Sequence, residues 1–357
     1  VAPPASYAAA PPQAWPPPLA RQKPPAAAPG CEPRTNARIF LRLCDLCIPP
    51  HCRRRHAASA NDDETIAAAF ACANVAVPVA AEPVDIVSSP GSADRADLAA
   101  WREEGFPTPT PDQTVLALAD MMTADDPFLR DDIGFAGLSA ILRRDAVDRA
   151  TLMMLVDTFT ERLSAPDERG VVRPFAVLGL AEVARVDRIS TFLDDAEFDG
   201  LVTTSVGFLE GVEDYRGYDA ELGWRHSVAH SADLILQLAL NPRTSADQLE
   251  RMADAIASQV SPAEPYVHGE PRRLARALLY IARHDNAAGL DWPEMLDQMT
   301  SKVPRHADAR GEALLDQLAR QHNLRAFLLE VYAVAVSSQD QRLEPLGNAA
   351  LEQLAKL

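Results

Sequence analysis

Between residues 96 and 357 apolar residues return every three or four positions, and runs that alternate strictly between apolar and polar are missing. That spacing predicts helices throughout the stretch. Asp, Ser, Pro and Gly divide it into helices over 110–122, 126–143, 148–163, 171–185 and 195–209, then a helix ending at Asn241, then 245–260, 270–283, 292–302, 309–320, 324–337 and 348–355. Asp112 reads as a cap of the first, and Asp126-Pro127 opens the second. Starts near 148, 195, 245 and 292 lie about 45–50 residues apart with one other helix between, which is the two-helix period of HEAT-type arrays. The expected fold class is therefore all-α, as a HEAT-like array of helical hairpins (an α-solenoid) or an irregular helical bundle.

One stretch breaks the pattern. Residues 212–241 read VEDYRGYDAELGWRHSVAHSADLILQLALN, a turn-rich entry with a Trp, then two His four apart and an Asp three further on, all leading into an apolar helix. Advancing 100° per residue places His226, His230, Asp233 and Gln237 within a sector of roughly 60°, with apolar side chains around the rest. No Lys or Glu follows Arg225 on this helix. A helix so apolar is expected between neighbours, and its polar stripe then faces an internal seam or a groove. Polar groups in either place need partners, because unpaired burial is costly. Asp233 can accept from an imidazole or pair with an Arg such as Arg216.

Charge and cysteine usage narrow the picture. The formal net charge is −17, yet residues 1–56 hold eight Lys or Arg against Glu32 and Asp45, so +6 there leaves −23 for the remainder. A body this acidic is not expected to bind nucleic acid. All five Cys lie at or before position 72, which leaves no disulfide framework for the body and fits a cytoplasmic location. No run of about 20 apolar residues is present, so no membrane span is expected. Residues 1–95 are rich in Pro and Ala and read as a disordered basic leader, with the folded domain over 96–357. Within the leader, Cys44, Cys47, Cys52 and His56 have the spacing of a small tetrahedral zinc site, against the plainer reading of solvated chain. No cofactor is implied.

Several short motifs stand out: Leu129-Arg130-Asp131, Arg173-Pro174-Phe175, the run from Asp214 to Tyr218, Gly223-Trp224-Arg225-His226 with His230 and Asp233, and Gly269-Glu270 through Arg273 to Ala275. Together they resemble the bacterial family of unknown function DUF2785. The resemblance covers roughly residues 100–300, and the Gly-Trp with two His and a following Asp is its most specific part. Family membership would imply an all-α, HEAT-like fold and a bacterial origin, and brings no activity with it. The chain departs from the family pattern at Pro174, Arg225 and Ser231.

Two functional classes follow. The first is a binding or scaffold module whose groove, lined by Arg216, Trp224, His226, His230, Asp233, Glu270 and Arg273, recognises a peptide, a protein or a small polar ligand. Its plainer counterpart is that these charges pair with one another and tie helices together. The second is a hydrolase-type enzyme with His226 or His230 as general base oriented by Asp233, or with the two His clamping a metal. Ser227 stands where a metalloprotease helix carries Glu, and no G-x-S-x-G elbow, P-loop or dinucleotide fingerprint occurs. Composition also yields a test of the leader. Deleting residues 1–95 is expected to leave the melting temperature nearly unchanged, because a Pro-rich segment buries too little apolar area to offset its ordering entropy. A fall of more than a few degrees would move the domain boundary, and zinc analysis of both forms decides the Cys44–His56 site.

Overall fold

Acidic or hydroxyl side chains placed just ahead of apolar runs start many of the helices. Asp94, Asp148 and Asp291 each accept a backbone N–H of the first turn. Asp194 with Glu197, and Ser245 with Gln248, form reciprocal capping boxes. The computed structural model describes residues 94–304 and 308–357, and the Cys44, Cys47, Cys52 and His56 candidate lies outside them. The described residues form an all-α body of twelve α-helices. In chain order these are α1 Arg95–Glu103, α2 Pro111–Met121, α3 Ala136–Arg144, α4 Arg149–Leu163, α5 Val172–Ile189 and α6 Asp195–Glu210. After them come α7 Ser227–Ala239, α8 Ala246–Ser258, α9 Glu270–Ala282, α10 Trp292–Ser301, α11 Glu312–Ser337 and α12 Glu344–Lys356. A short antiparallel ladder pairs β1 Tyr218–Asp219 with β2 Gly223–Trp224 in the entry to α7.

Alternate helices pack side by side. α3 contacts α5, α5 contacts α7, α7 contacts α9 and α9 contacts α11, while α4, α6, α8 and α12 pack on α5, α7, α9 and α11. α7 sits in the middle of the first row, touching α5, α6, α8 and α9. Val228, Ala232, Leu234, Ile235 and Leu238 of α7 are therefore all buried. Close approach of α4 and α5 depends on Gly179, where a Cβ would stand 2.4–2.7 Å from the Phe159 ring atoms. At the far ends of α5 and α7, the fully buried Asp187 accepts from the Phe192 and Leu193 N–H groups at 3.0 and 2.9 Å. Its other oxygen accepts from Asn241 Nδ2 at 3.0 Å and Arg243 Nη2 at 2.7 Å, which fixes where the two hairpins meet.

Five details differ from the sequence pattern, each for a visible reason. α1 lies ahead of the first expected helix and buries Leu98 and Trp101. Asp112 does not cap α2; its Oδ1 accepts from the Asp148 N–H at 2.8 Å and joins α2 to α4 instead. The helix expected over 126–143 is a π-helical turn, Phe128–Phe135, that runs into α3, with Asp126 accepting from the Phe128 N–H at 2.9 Å. The helices expected at 309–320 and 324–337 are one, α11. Asn323, in its middle, does not break it because its side chain turns to the 262–266 loop, accepting from the Tyr266 N–H at 2.8 Å and donating to Glu264 O at 2.8 Å. The last helix begins at Glu344, four residues earlier than the pattern suggests, with Pro345 in its first turn where a missing N–H costs nothing.

Candidate functional site

The site is built at the N-terminal end of α7, and Arg130 is what holds it there. Arg130 projects from the π-helical turn and is completely buried. Its Nη1 donates to Ala124 O and Asp125 O at 3.1 and 3.2 Å, and its Nη2 donates to Leu222 O and, at 3.4 Å, to Trp224 O. The guanidinium also stacks over Phe175 at 4.7 Å and lies 2.8 Å from Asp131 Oδ1. Burial pushes the Asp131 carboxyl up to about 6 against the opposing pull of Arg130. A buried guanidinium satisfied largely by backbone carbonyls is costly to remove, so the β1–β2 hairpin has one position available to it. Asp219 closes that hairpin by accepting from the Glu221 N–H and pairing with Arg225.

His226 follows with φ +53°, in the left-handed region, and no side chain caps α7 there. Such a conformation is uncommon outside glycine and is kept only where surroundings impose it. Here they do: the Arg225 N–H donates to Gly217 O at 2.8 Å and the His226 N–H to Arg216 O at 3.3 Å. Gly217 is required for a second reason, since a Cβ there would stand 2.1 Å from His268 Nδ1.

The resulting cluster is aromatic on the outside and charged beneath. Tyr218 and Trp224 are exposed, with ring centroids 5.0 Å apart. Trp224 lies over His226 at 4.3 Å and meets the His268 ring edge-to-face at 5.8 Å. Under them sits Glu270, the first residue of α9 and 95% buried, accepting from the His268 N–H at 3.0 Å. The Nδ1 atoms of His226 and His268 each stand 3.9 Å from Glu270 Oε1, outside hydrogen-bonding distance. His226 Nδ1 is buried and has no hydrogen-bond partner. Desolvation, together with the Arg273 guanidinium and His268, lowers His226 to about 4, so it is neutral near pH 7. The crevice between Tyr215, His226, Val228, Tyr266 and Glu270 is too tight for a water-sized sphere.

Further along the stripe the groups are paired. His230 is buried, its Nδ1 lies 3.0 Å from Pro174 O, and its ring meets Phe175 edge-on. Pro174 O can only accept, so the imidazole donates from Nδ1; burial, with His226 and Arg273 nearby, holds its pKa well below the usual range. Asp233 takes a two-pronged pair from Arg273 of α9, with Nε at 2.9 Å from Oδ1. Arg216, the partner expected for Asp233, is bound to Asp214 instead, at 2.7 and 2.6 Å, and packs over Gly170. Of the sequence-derived site residues, His226, Trp224 and Glu270 thus come together, Asp233 and Arg273 form a separate pair, and Arg216 lies at the rim of the crevice. His268, Tyr218 and Arg130 were not singled out as site residues, although each lies in or beside a quoted motif. Among the described residues no group of three or more His, Cys, Asp or Glu is arranged to hold a metal ion, and no helix is long and apolar enough to cross a membrane.

The family model described as "Protein of unknown function (DUF2785)" matches residues 138–333. Neither the search of curated proteins nor that of solved structures found a match.

The lowered His226 pKa makes a prediction about stability. A His whose folded pKa lies below its unfolded 6.5 contributes stability that is fully present above that value and is lost as pH falls toward about 4. The loss amounts to roughly 3 kcal/mol. His226→Asn keeps a side chain that tolerates the left-handed backbone and removes this titration. Urea unfolding at pH 7.0, 5.5 and 4.5 should show the parent losing stability more steeply than the variant, and parallel curves would contradict the burial of a neutral His226.

Proposed function

The chain belongs to the DUF2785 family, and from the geometry at the head of α7 we propose that it is a binding module, a HEAT-like helical scaffold that presents Trp224 and its neighbours to a peptide or small polar ligand. The observation that carries the reading is the exposed Tyr218–Trp224 pair, locked in place by buried Arg130, above unpartnered His226 Nδ1. Trp and Tyr presented rigidly bind with little loss of side-chain entropy and are frequent anchors of interfaces. An aromatic face over a carboxylate, here Glu270, suits a basic side chain of the ligand, and the acidic body favours the same sign. A cytoplasmic location belongs to this reading, supported by the confinement of all five Cys to residues 31–72.

The hydrolase reading asks for a base and an orienting carboxylate in contact. Asp233 is taken by Arg273 and His230 by Pro174 O, so neither imidazole of α7 has a carboxylate within hydrogen-bonding reach. That weighs the reading toward recognition. Selection of a random peptide library on the full chain should enrich sequences with a basic residue, and Trp224→Ala should weaken the selected peptide at least tenfold without moving the melting temperature by more than a few degrees. Failure to enrich, or binding unchanged in Trp224→Ala, would defeat the proposal. Hydrolysis of ester, phosphate or peptide substrates that disappears in His226→Asn would replace it with the enzyme.

A further inference from the structure

The polar stripe of α7 ends about three turns beyond His226, at Gln237, whose side chain is met by an arginine of α5. Arg188 of α5 donates its Nε to Gln237 Oε1 at 3.3 Å. That bond fixes the amide, leaving Nε2 as a pair of N–H donors turned away from Arg188. Among the described residues neither Gln237 Nε2 nor the Nη atoms of Arg188 have an acceptor in hydrogen-bonding distance, and no carboxylate lies within 4 Å of Arg185 or Arg188. Burial disfavours the Arg188 charge, and Arg185, one turn before it on α5, adds to that. Both Arg are only partly exposed.

The contrast with other partly buried arginines is what makes the cluster informative. Arg162, Arg225, Arg243, Arg273 and Arg283 each face a carboxylate, from Asp120, Asp219, Asp187, Asp233 and Asp340. In a chain of net charge −17 carboxylates are plentiful, yet here two guanidinium groups stand together without one. We infer that the face of α5 and α7 around Gln237 binds an oxyanion, the phosphate or carboxylate of a small ligand, with Arg185 and Arg188 supplying charge and Gln237 Nε2 a further donor. Guanidinium forks match both oxyanions in geometry. The body's net negative charge repels a polyanion, which is why the ligand carries a single anionic group.

The test uses the full chain, ¹⁵N-labelled, with inorganic phosphate and acetate as the two probes at constant ionic strength. The Gln237 side-chain amide and Arg188 Nε–H resonances should shift saturably with at least one probe. Phosphate alone would place the ligand among phosphate esters, and acetate alone among carboxylates. Arg188→Gln and, separately, Arg185→Gln should raise the apparent Kd at least tenfold while the remaining spectrum is preserved, so that one well-folded variant suffices. No saturable shift with either probe, or equal affinity in a folded variant, overturns the site. Because Trp224 lies at the other end of α7, a failed peptide selection leaves this result unaffected.

Discussion

A polar stripe on an otherwise apolar helix governs this molecule. α7 is packed on by α5, α6, α8 and α9, and a helix so placed can carry His226, His230, Asp233 and Gln237 only where neighbours satisfy them. The middle of the stripe meets that demand from within the protein: Pro174 O for His230, and the Arg273 guanidinium for Asp233. These contacts tie α7 to α5 on one side and to α9 on the other, so the stripe works as a polar seam between row neighbours. The two ends are less complete. At one, His226 Nδ1 has no partner; at the other, Gln237 and Arg188 keep spare donors. Function is proposed at the ends because that is where hydrogen-bonding capacity remains unused.

Arg130, outside the seam, explains how the hairpin ahead of α7 is held without a core of its own. A two-strand ladder of two residues each cannot stand alone in water. Arg130 supplies what the ladder lacks, bonding the Leu222 and Trp224 carbonyls at its second strand from a π-helical turn whose extra residue per turn shifts the side chain out of ordinary α-helical register. With Leu222 and Trp224 held by their carbonyls, the Trp224 ring is displayed outward and the chain must enter α7 through a left-handed His226. Display of the aromatic face thus follows from one buried cation, while the left-handed His226 is held by the Gly217 and Arg216 carbonyls.

Much of this was legible in the residues. The 3.6-residue period, the helix starts near 148, 195, 245 and 292, and the narrow stripe on α7 each act over one or two turns, and local signals of that kind survive into the fold. What failed to show were partnerships across long separations. Asp112 satisfies the Asp148 N–H, Asn323 binds a loop nearly sixty residues earlier, and Asp233 chooses Arg273 over Arg216. Each of those side chains has the same local appearance whether it caps its own helix or reaches another. The π-helical turn was invisible for a related reason, since its register is set by where Arg130 must reach and by Gly134, whose Cβ would stand 2.9 Å from the Met122 nitrogen.

The seam can be tested at its centre. In a double-mutant cycle, urea unfolding of the full chain is compared for the parent, Asp233→Ala, Arg273→Ala and the double variant. A paired, partly buried seam predicts that each single change is destabilising and that the two are coupled by about 1–3 kcal/mol, the double variant losing less than the sum. Additive losses, or single variants as stable as the parent, would contradict the account and leave α7 held by apolar packing alone.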